Sequence, residues 1–336
     1  MSMPALVHRT IAGLVALLLV MWVQAAAAAP AAQTASAVQL QAWLDRMHEA
    51  SRSRAYVGTF VVSAGPQLSS ARIWHVCEGS EQVERVDALT GPARSVFRHN
   101  DQVLTVWPDS GRVRIERRES LGLFPDRLRT ADGSLAEHYR LELPGRLERV
   151  AGVPAVLVQL QPRDALRFGY RLWLEQQSGL VLKQQTLDRR GQVLEQAVFS
   201  ELQLDAPLKA ESLLRTMGQY QAQAQERPQP VPTTLAAEGW RLKAVPGFRV
   251  LSCHRRPGAS AAGSVHCLFS DGLASVSLFL IPGAAPAPAP ALRAAVGATH
   301  TLRLQMAQHS ITFMGEVPPA TLQGFASALE RGPSSP

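Results

Sequence analysis

Between Tyr56 and Leu204 the chain is a succession of short runs rich in β-branched and aromatic residues, each closed by a turn signal. That pattern constrains the fold more than any other feature, because such runs satisfy their backbone groups only by pairing edge to edge. Residues 56–62, 72–77, 82–89, 94–98 and 102–107 form a first set of expected strands, and residues 146–150, 155–161, 170–175, 180–187 and 193–204 a second. His99-Asn100-Asp101 reads as a tight hairpin, with further turns at Gly152-Val153-Pro154, Ser178-Gly179 and residues 188–191. An antiparallel meander of about ten strands with few helices is the consequence. Helical periodicity precedes it: Ser36 is positioned to cap a helix whose Leu40, Trp43, Leu44 and Met47 share one face. Residues 120–139 are less regular and are expected to hold a short helix or lid.

The pattern breaks at residues 206–236, because residues 219–229 are dominated by glutamine and alanine and Pro228, Pro230 and Pro232 follow in alternation. This reads as a linker or an exposed helical arm. Strand-like runs resume at 240–245, 248–253, 265–270 and 273–281, with Asp271-Gly272 as a two-residue hairpin signal. An Ala-Pro stretch at 282–290 is expected as a stiff exposed loop, followed by strands at 299–305 and 310–315. Pro318-Pro319 then opens a last helix running through Leu329. The 336 residues thus divide into a leader (1–29), a β module (36–205), a Gln/Pro linker (206–236) and a smaller α+β module (237–331).

The leader carries His8 and Arg9, an apolar run over residues 11–23, and alanines at 25–29. As a helix that run reaches about 20 Å, short of a hydrocarbon core of about 30 Å. It reads as a cleaved secretory signal rather than a retained anchor. No cysteine precedes Cys77, so a lipoprotein attachment site is missing. A soluble exported chain, periplasmic in a bacterium and without a permanent membrane anchor, is expected. Export argues against NTP-driven chemistry, and neither a P-loop nor a dinucleotide fingerprint occurs.

Thirty-four basic residues against 27 acidic ones give a net charge of +7, and only Lys183, Lys209 and Lys243 are lysines. Residues 239–336 hold 8 basic and 3 acidic side chains, so the small module carries nearly all the excess. An acidic or phosphate-bearing partner suits it, with a solvated surface as the competing reading. Nucleic acid does not fit an exported chain without a nucleic-acid motif. Glu116 and Glu119, among Arg112, Arg114, Arg117 and Arg118, read as salt-paired surface rather than an acid/base pair. With no G-x-S-x-G and no H-E-x-x-H, an enzyme is not expected, although a triad assembled in space would leave no local motif.

Cys253-His254 and His266-Cys267 have the composition of a zinc site, but neighbours on a strand point to opposite faces. In a symmetric antiparallel register 253 faces 267 and 254 faces 266, which brings the two sulfurs within disulfide range. A Cys253–Cys267 disulfide is favoured over zinc or two free thiols, and no metal or other cofactor is expected. Cys77 is left over as a buried strand residue.

The stretches LTGPARSV (89–96), LDRRGQVLEQ (187–196), VPGFRV (245–250), LFSDGLASVSLFL (268–280) and GEVPPAT (315–321) are unspecific singly. Their joint order, behind a leader and over two modules, resembles the RseB/MucB family of periplasmic regulators of the envelope-stress sigma factor. The resemblance implies a first module with the fold of the lipoprotein carriers LolA and LolB, an unclosed antiparallel β-barrel with helices across its concave face. It implies a smaller C-terminal α+β module that takes part in binding the periplasmic domain of an RseA/MucA-type anti-sigma factor. The whole would shield that factor from proteolysis and let go when mislocalised lipoprotein or lipopolysaccharide binds.

On that reading Trp74, Phe97, Trp107, Tyr170 and Trp173 line an apolar concavity that takes acyl chains, with core packing as the alternative for each. Arg241, Arg249, Arg255 and Arg256 cluster around one hairpin and supply partner contact, with a solvated edge as the alternative. A periplasmic lipoprotein or lipid carrier of the LolA type is the competing function. Oligomeric state is open, a homo-oligomer included.

Overall fold

The computed structural model describes residues 28–117, 124, 135–226, 230–256, 263–283, 292–306 and 308–332. The expected signal segment lies outside them except for its last two residues, as do residues 284–290 of the Ala-Pro stretch, Glu119, and all of residues 120–134 except Phe124.

Helix α1 (Ala28–Ser53) leads into the first sheet. It starts eight residues before the expected cap, so Ser36 lies inside the helix; alanine-rich sequence ahead of the periodic part continues the helix readily. The first sheet is built from β1 (Tyr56–Ala64), β2 (Gln67–Glu78), β3 (Glu81–Ala88), β4 (Ser95–His99), β5 (Gln102–Trp107), β6 (Arg112–Arg117), β7 (Tyr139–Glu142), β8 (Leu147–Val150), β9 (Val153–Pro162), β10 (Gly169–Glu175), β11 (Val181–Leu187) and β12 (Val193–Leu204). A short α2 (Leu135–His138) precedes β7. Strand order runs β6-β5-β4-β3-β2-β1-β12-β11-β10-β9-β7, and its two ends do not meet. The barrel is therefore unclosed, as expected.

Strand β6 falls in the arginine-rich stretch read as surface. It alternates Val113 and Ile115 against Arg112, Arg114 and Glu116, and Arg114 pairs with Glu116 at 3.3 Å on one face. Salt pairing and strand pairing coexist there, because they use opposite faces of one ribbon.

One face of the sheet packs on α1. Leu40, Leu44, Met47 and Ala50 are buried with Phe60, Ile73, Phe124, Tyr139, Tyr170, Leu172 and Phe199. Helix α3 (Ala210–Gln221) covers part of the other face: Met217 packs on Phe97, Leu104 and Val106, while Leu213 packs on Val76 and Val83. Much of the stretch expected as a linker is thus bound to the first module, and β13 (Gln225–Glu226) adds to β6 in parallel. Leu213 and Met217, four apart on one helix face, are what hold it.

The second sheet contains β14 (Val231–Pro232), β16 (Arg249–Arg256), β17 (Ser264–Ser270), β18 (Ser275–Pro282), β19 (Leu292–Val296), β20 (Thr299–Met306) and β21 (His309–Gly315), in the order β14-β16-β17-β18-β21-β20-β19. β15 (Trp240–Leu242) pairs with β22 (Leu329–Arg331) as a separate ribbon. Helix α4 (Pro319–Ala328), opened by proline at its first position, lays Phe325 against Phe248, Phe269 and Phe313. The β17–β18 connection is four residues long, because Ser270 pairs with Ser275. The Asp-Gly signal marked the place of the turn and not its length: the Asp271 carboxylate folds back to accept the amides of Leu273 and Ala274 at 3.0 and 2.8 Å.

Candidate functional site: the seam between the modules and the arginine-bearing face

Residues 163–168, between β9 and β10, carry Arg167, whose side chain is wholly buried. Its Nε donates to Asp271 Oδ2 at 2.6 Å, Nη1 pairs with Asp164, Nη2 donates to the Pro246 carbonyl at 2.8 Å, and the guanidinium lies 5.2 Å from the Phe248 ring centre. Asp271 is also sealed from solvent, and Tyr139 Oη donates to its Oδ2 at 3.4 Å. Two buried charges are tolerable only when each is paired and hydrogen-bonded, and here every contact of Arg167 has a distinct acceptor. Asp271 divides its two oxygens: Oδ1 holds its own turn and Oδ2 holds the first module.

Around that pair the modules meet at further points. Thr321 Oγ1 donates to the Leu166 carbonyl at 2.7 Å, and Leu273 packs on the core of the first module. Gly247, with φ at +79°, lies so close to Arg167 and His138 that an added Cβ would collide with the guanidinium and reach 2.6 Å from the imidazole. Burial and the neighbouring Arg167 charge hold His138 below its ordinary pKa. At the other end of the seam Gly297 abuts Ala64 of the β1–β2 turn, with 2.8 Å between a built Cβ and the alanine methyl. Pro246, Gly247, Phe248, Asp271, Leu273 and Thr321 all belong to the stretches VPGFRV, LFSDGLASVSLFL and GEVPPAT. Those motifs are the second module's half of the seam. The first two meet at Arg167 and the third at its neighbour Leu166; neither residue has a sequence signal beyond its position between two strands.

The four arginines expected at a partner contact are exposed but do not form one bare patch. Arg241 pairs with Glu330 at 3.2 Å, together with Lys243. Arg255 pairs with Glu238 at 2.5 Å, and Arg256 meets His266 Nδ1 at 3.2 Å. Arg249 opens β16 at the seam end. Burial, with the Arg256 and His254 charges, keeps His266 down at about 4, so its ring is neutral and stacks on Phe279 at 4.4 Å. Arg241 also borders a cavity of about 520 Å³ lined by Trp240, Val245, Phe248, Val250 and Leu251 among others. Val250 and Leu251 are 58% and 52% exposed, at a register shift in the β16–β17 pairing. Cys253 and Cys267 are opposed across β16 and β17, as are His254 and His266, and the two sulfurs are bonded at 1.99 Å. Among the described residues no group of three or more metal-ligating side chains comes together.

The five aromatic residues expected to line a concavity do not share a surface. Tyr170 is buried on the inner face, 6.2 Å from Tyr139. Trp173, three residues on, has the opposite parity; its indole nitrogen donates to Glu148 at 2.7 Å and Lys183 lies 4.2 Å over the ring. Trp74 and Phe97 both flank Arg85 and face the side covered by α3. Trp107 is half-buried beneath Arg112 and Arg114, at 4.3 and 5.2 Å. Aromatic content did not report the face; strand parity did, once the register was known.

Comparison with known proteins places both modules. The family model described as the MucB/RseB N-terminal domain matches residues 39–217, and that of the MucB/RseB C-terminal domain matches residues 234–330. The chain is 33% identical over 312 residues to the sigma factor AlgU regulatory protein MucB of Pseudomonas aeruginosa, covering 90% of this chain and 93% of that one. It is 26% identical over 296 residues to the sigma-E factor regulatory protein RseB of Escherichia coli K12, covering 87% and 90%. It is also similar to the Pseudomonas aeruginosa MucA/MucB complex structure, with a TM-score of 0.67 at 28% identity over 88% of this chain and 99% of that one. With both halves matched in order along nearly its whole described length, the chain belongs to the MucB/RseB family.

Proposed function

We propose that this protein is a periplasmic regulator that binds the periplasmic domain of a MucA/RseA-type anti-sigma factor and shields it from regulated proteolysis, so restraining the envelope-stress sigma factor. The match to MucB across both modules, and to MucB as solved together with MucA, carries this reading. The protein acts as a stoichiometric binder and not as an enzyme. Its exported location follows from the leader, and among the described residues no helix is long and apolar enough to cross a membrane.

The surface around β16 is the one that best suits an acidic partner segment. It joins exposed Val250 and Leu251 to Arg249 at one end and to Arg255 and Arg256 at the other, beside a cavity able to take an apolar side chain. Mislocalised lipoprotein or lipopolysaccharide is the releasing signal. An acyl chain reaching the inner face near Tyr170 has to displace α1, which now covers it. If that displaced state binds the anti-sigma factor less well, each ligand weakens the other by the same factor.

The test is to mix the mature protein with the periplasmic segment of the anti-sigma factor from the same genome. A stable complex on size-exclusion chromatography, lost on adding lipopolysaccharide or lipoprotein, is the expected result. No complex removes the reading, and a complex indifferent to both lipids removes the sensing half of it.

A further inference from the structure

Cys77 is the free cysteine of the chain and stands one residue from the end of β2. Its sulfur meets two groups. The thiol contacts the carbonyl of Arg52, near the C-terminal end of α1, and lies 3.2 Å from His75 Nε2. His75, two residues back and on the same face, is fully buried and stacks on Tyr56 at 4.8 Å. Its Nδ1 donates to Glu84 Oε1 at 2.8 Å, and Glu84 Oε2 accepts from Arg98 Nε at 2.7 Å. His75, Glu84 and Arg98 are directly opposed on three consecutive strands. With the Nδ1 proton committed to Glu84, Nε2 faces the sulfur, and among the described residues it has no other partner. Nucleophile, base and orienting carboxylate follow in the order that activates a thiol.

The charges around His75 favour its protonated form. Burial alone would lower the His75 pKa, but its bonds to Cys77 and Glu84, with their charges, raise it to about 9. Burial would raise Glu84, and His75 and Arg98 hold it instead at about 2.

The sulfur borders an open cavity of about 700 Å³ between the end of α1 and the β2–β3 and β4–β5 turns. Its wall carries both signs: Arg52 and Arg98 against Glu49, Glu81 and Asp101, with Ser53 and Asn100 beside them. A polar wall of mixed charge suits a small zwitterion and not an acyl chain.

We propose that Cys77 is a thiol–disulfide exchange site for small zwitterionic disulfides such as cystine or glutathione disulfide. His75 Nε2 takes the thiol proton and the Cys77 sulfur attacks one sulfur of the incoming disulfide. The incoming S–S bond breaks, a Cys77–S–S–R bond forms, and the departing thiolate leaves with the electron pair and takes up one proton. One thiol and one disulfide go in; one mixed disulfide and one thiol come out. The adduct needs the space where the thiol now meets the Arg52 carbonyl, so it pries the end of α1 from the sheet. Because Leu40, Leu44 and Met47 of α1 cover the inner face, modification at Cys77 loosens that cover. The site lies apart from the inter-module seam and does not depend on the anti-sigma reading.

The test uses the mature chain with glutathione disulfide in excess, followed by intact-mass and peptide mass spectrometry. One glutathione on Cys77 is expected, with none on Cys77→Ser. The folded chain should react at least tenfold faster than the same chain unfolded in urea at the same pH, because only the folded chain sets His75 against the sulfur. A folded chain that reacts no faster than the unfolded one, or labelling only in the urea-unfolded chain, overturns the site, and neither outcome needs a variant that has to fold. Hydrogen exchange at α1 amides from Leu40 to Ser53 should speed at least tenfold in the adduct. Unchanged protection overturns the link to α1.

Discussion

Arg167 and Asp271 join the two modules through a 2.6 Å bond between Nε and Oδ2, and neither side chain is accessible to solvent. Residues 104 apart in sequence thereby fix the β17–β18 turn against the loop before β10. The relative position of the modules is written into that pair more than into the chain that connects them.

Removing Arg167 leaves the buried Asp271 carboxylate without its counterion, and removing Asp271 leaves the buried guanidinium with Asp164 alone. Arg167→Met or Asp271→Asn should each cost about 3–5 kcal/mol of stability, read as a lower urea midpoint. The double replacement Arg167→Met with Asp271→Asn should recover part of that loss, because no unpaired buried charge remains. If the single replacements cost no more than surface changes, the pair does not organise the seam.

Gly247→Ala tests the close approach at the same place. The residue has φ at +79° and no room for a Cβ beside Arg167 and His138. A loss of about 1–3 kcal/mol is expected from backbone strain alone, with weaker anti-sigma binding if seam geometry sets the orientation of the binding face. Calorimetry and a binding titration on one preparation check both.

The Cys253–Cys267 disulfide closes a loop of sequence separation 14 in the basic module. Its removal by Cys253→Ala with Cys267→Ala should destabilise that module by about 2–4 kcal/mol. Hydrogen exchange at the amides of β16 to β18 in increasing urea, with and without reductant, reads the effect directly.

The buried His75–Glu84–Arg98 chain predicts a stability profile limited on both sides. Glu84 sits at about 2 against an ordinary 4.5, so its contribution is present above 4.5 and is lost as pH falls through 2. His75 sits at about 9 against an ordinary 6.5, so its contribution is full below 6.5 and is lost as pH rises through 9. These are two views of one interaction, and they place the plateau between about pH 4.5 and 6.5. Glu84→Gln should lower stability most on that plateau and flatten both flanks; urea midpoints across the pH range show whether it does.

Strand runs, turns, the two-module division and the opposition of Cys253 with Cys267 were legible in the sequence, because each depends on neighbours along the chain or on one hairpin's register. The length of the Asp271 turn was not, since it is set by a carboxylate that also serves Arg167 in the other module. Nor was the packing of residues 210–221, because the glutamine-rich stretch that begins at their end marks the region as a linker while the Leu213 and Met217 face meets β3–β6. The aromatic set divides between faces for the same reason: Tyr170 and Trp173 lie on one strand, and which of them faces inward depends on how the sheet curves.

The amino-acid order by itself determined that this chain forms paired strands in two modules and belongs among the MucB/RseB proteins. Local propensity and alternation act over a few residues, and the order of short motifs survives without any folding. Only the tertiary structure decided that two of those motifs converge on Arg167 and a third on Leu166 beside it, and that Cys77, His75, Glu84 and Arg98 line up across three strands. Such contacts are made between residues distant in the chain, and pairing register, not sequence spacing, brings them within bonding distance.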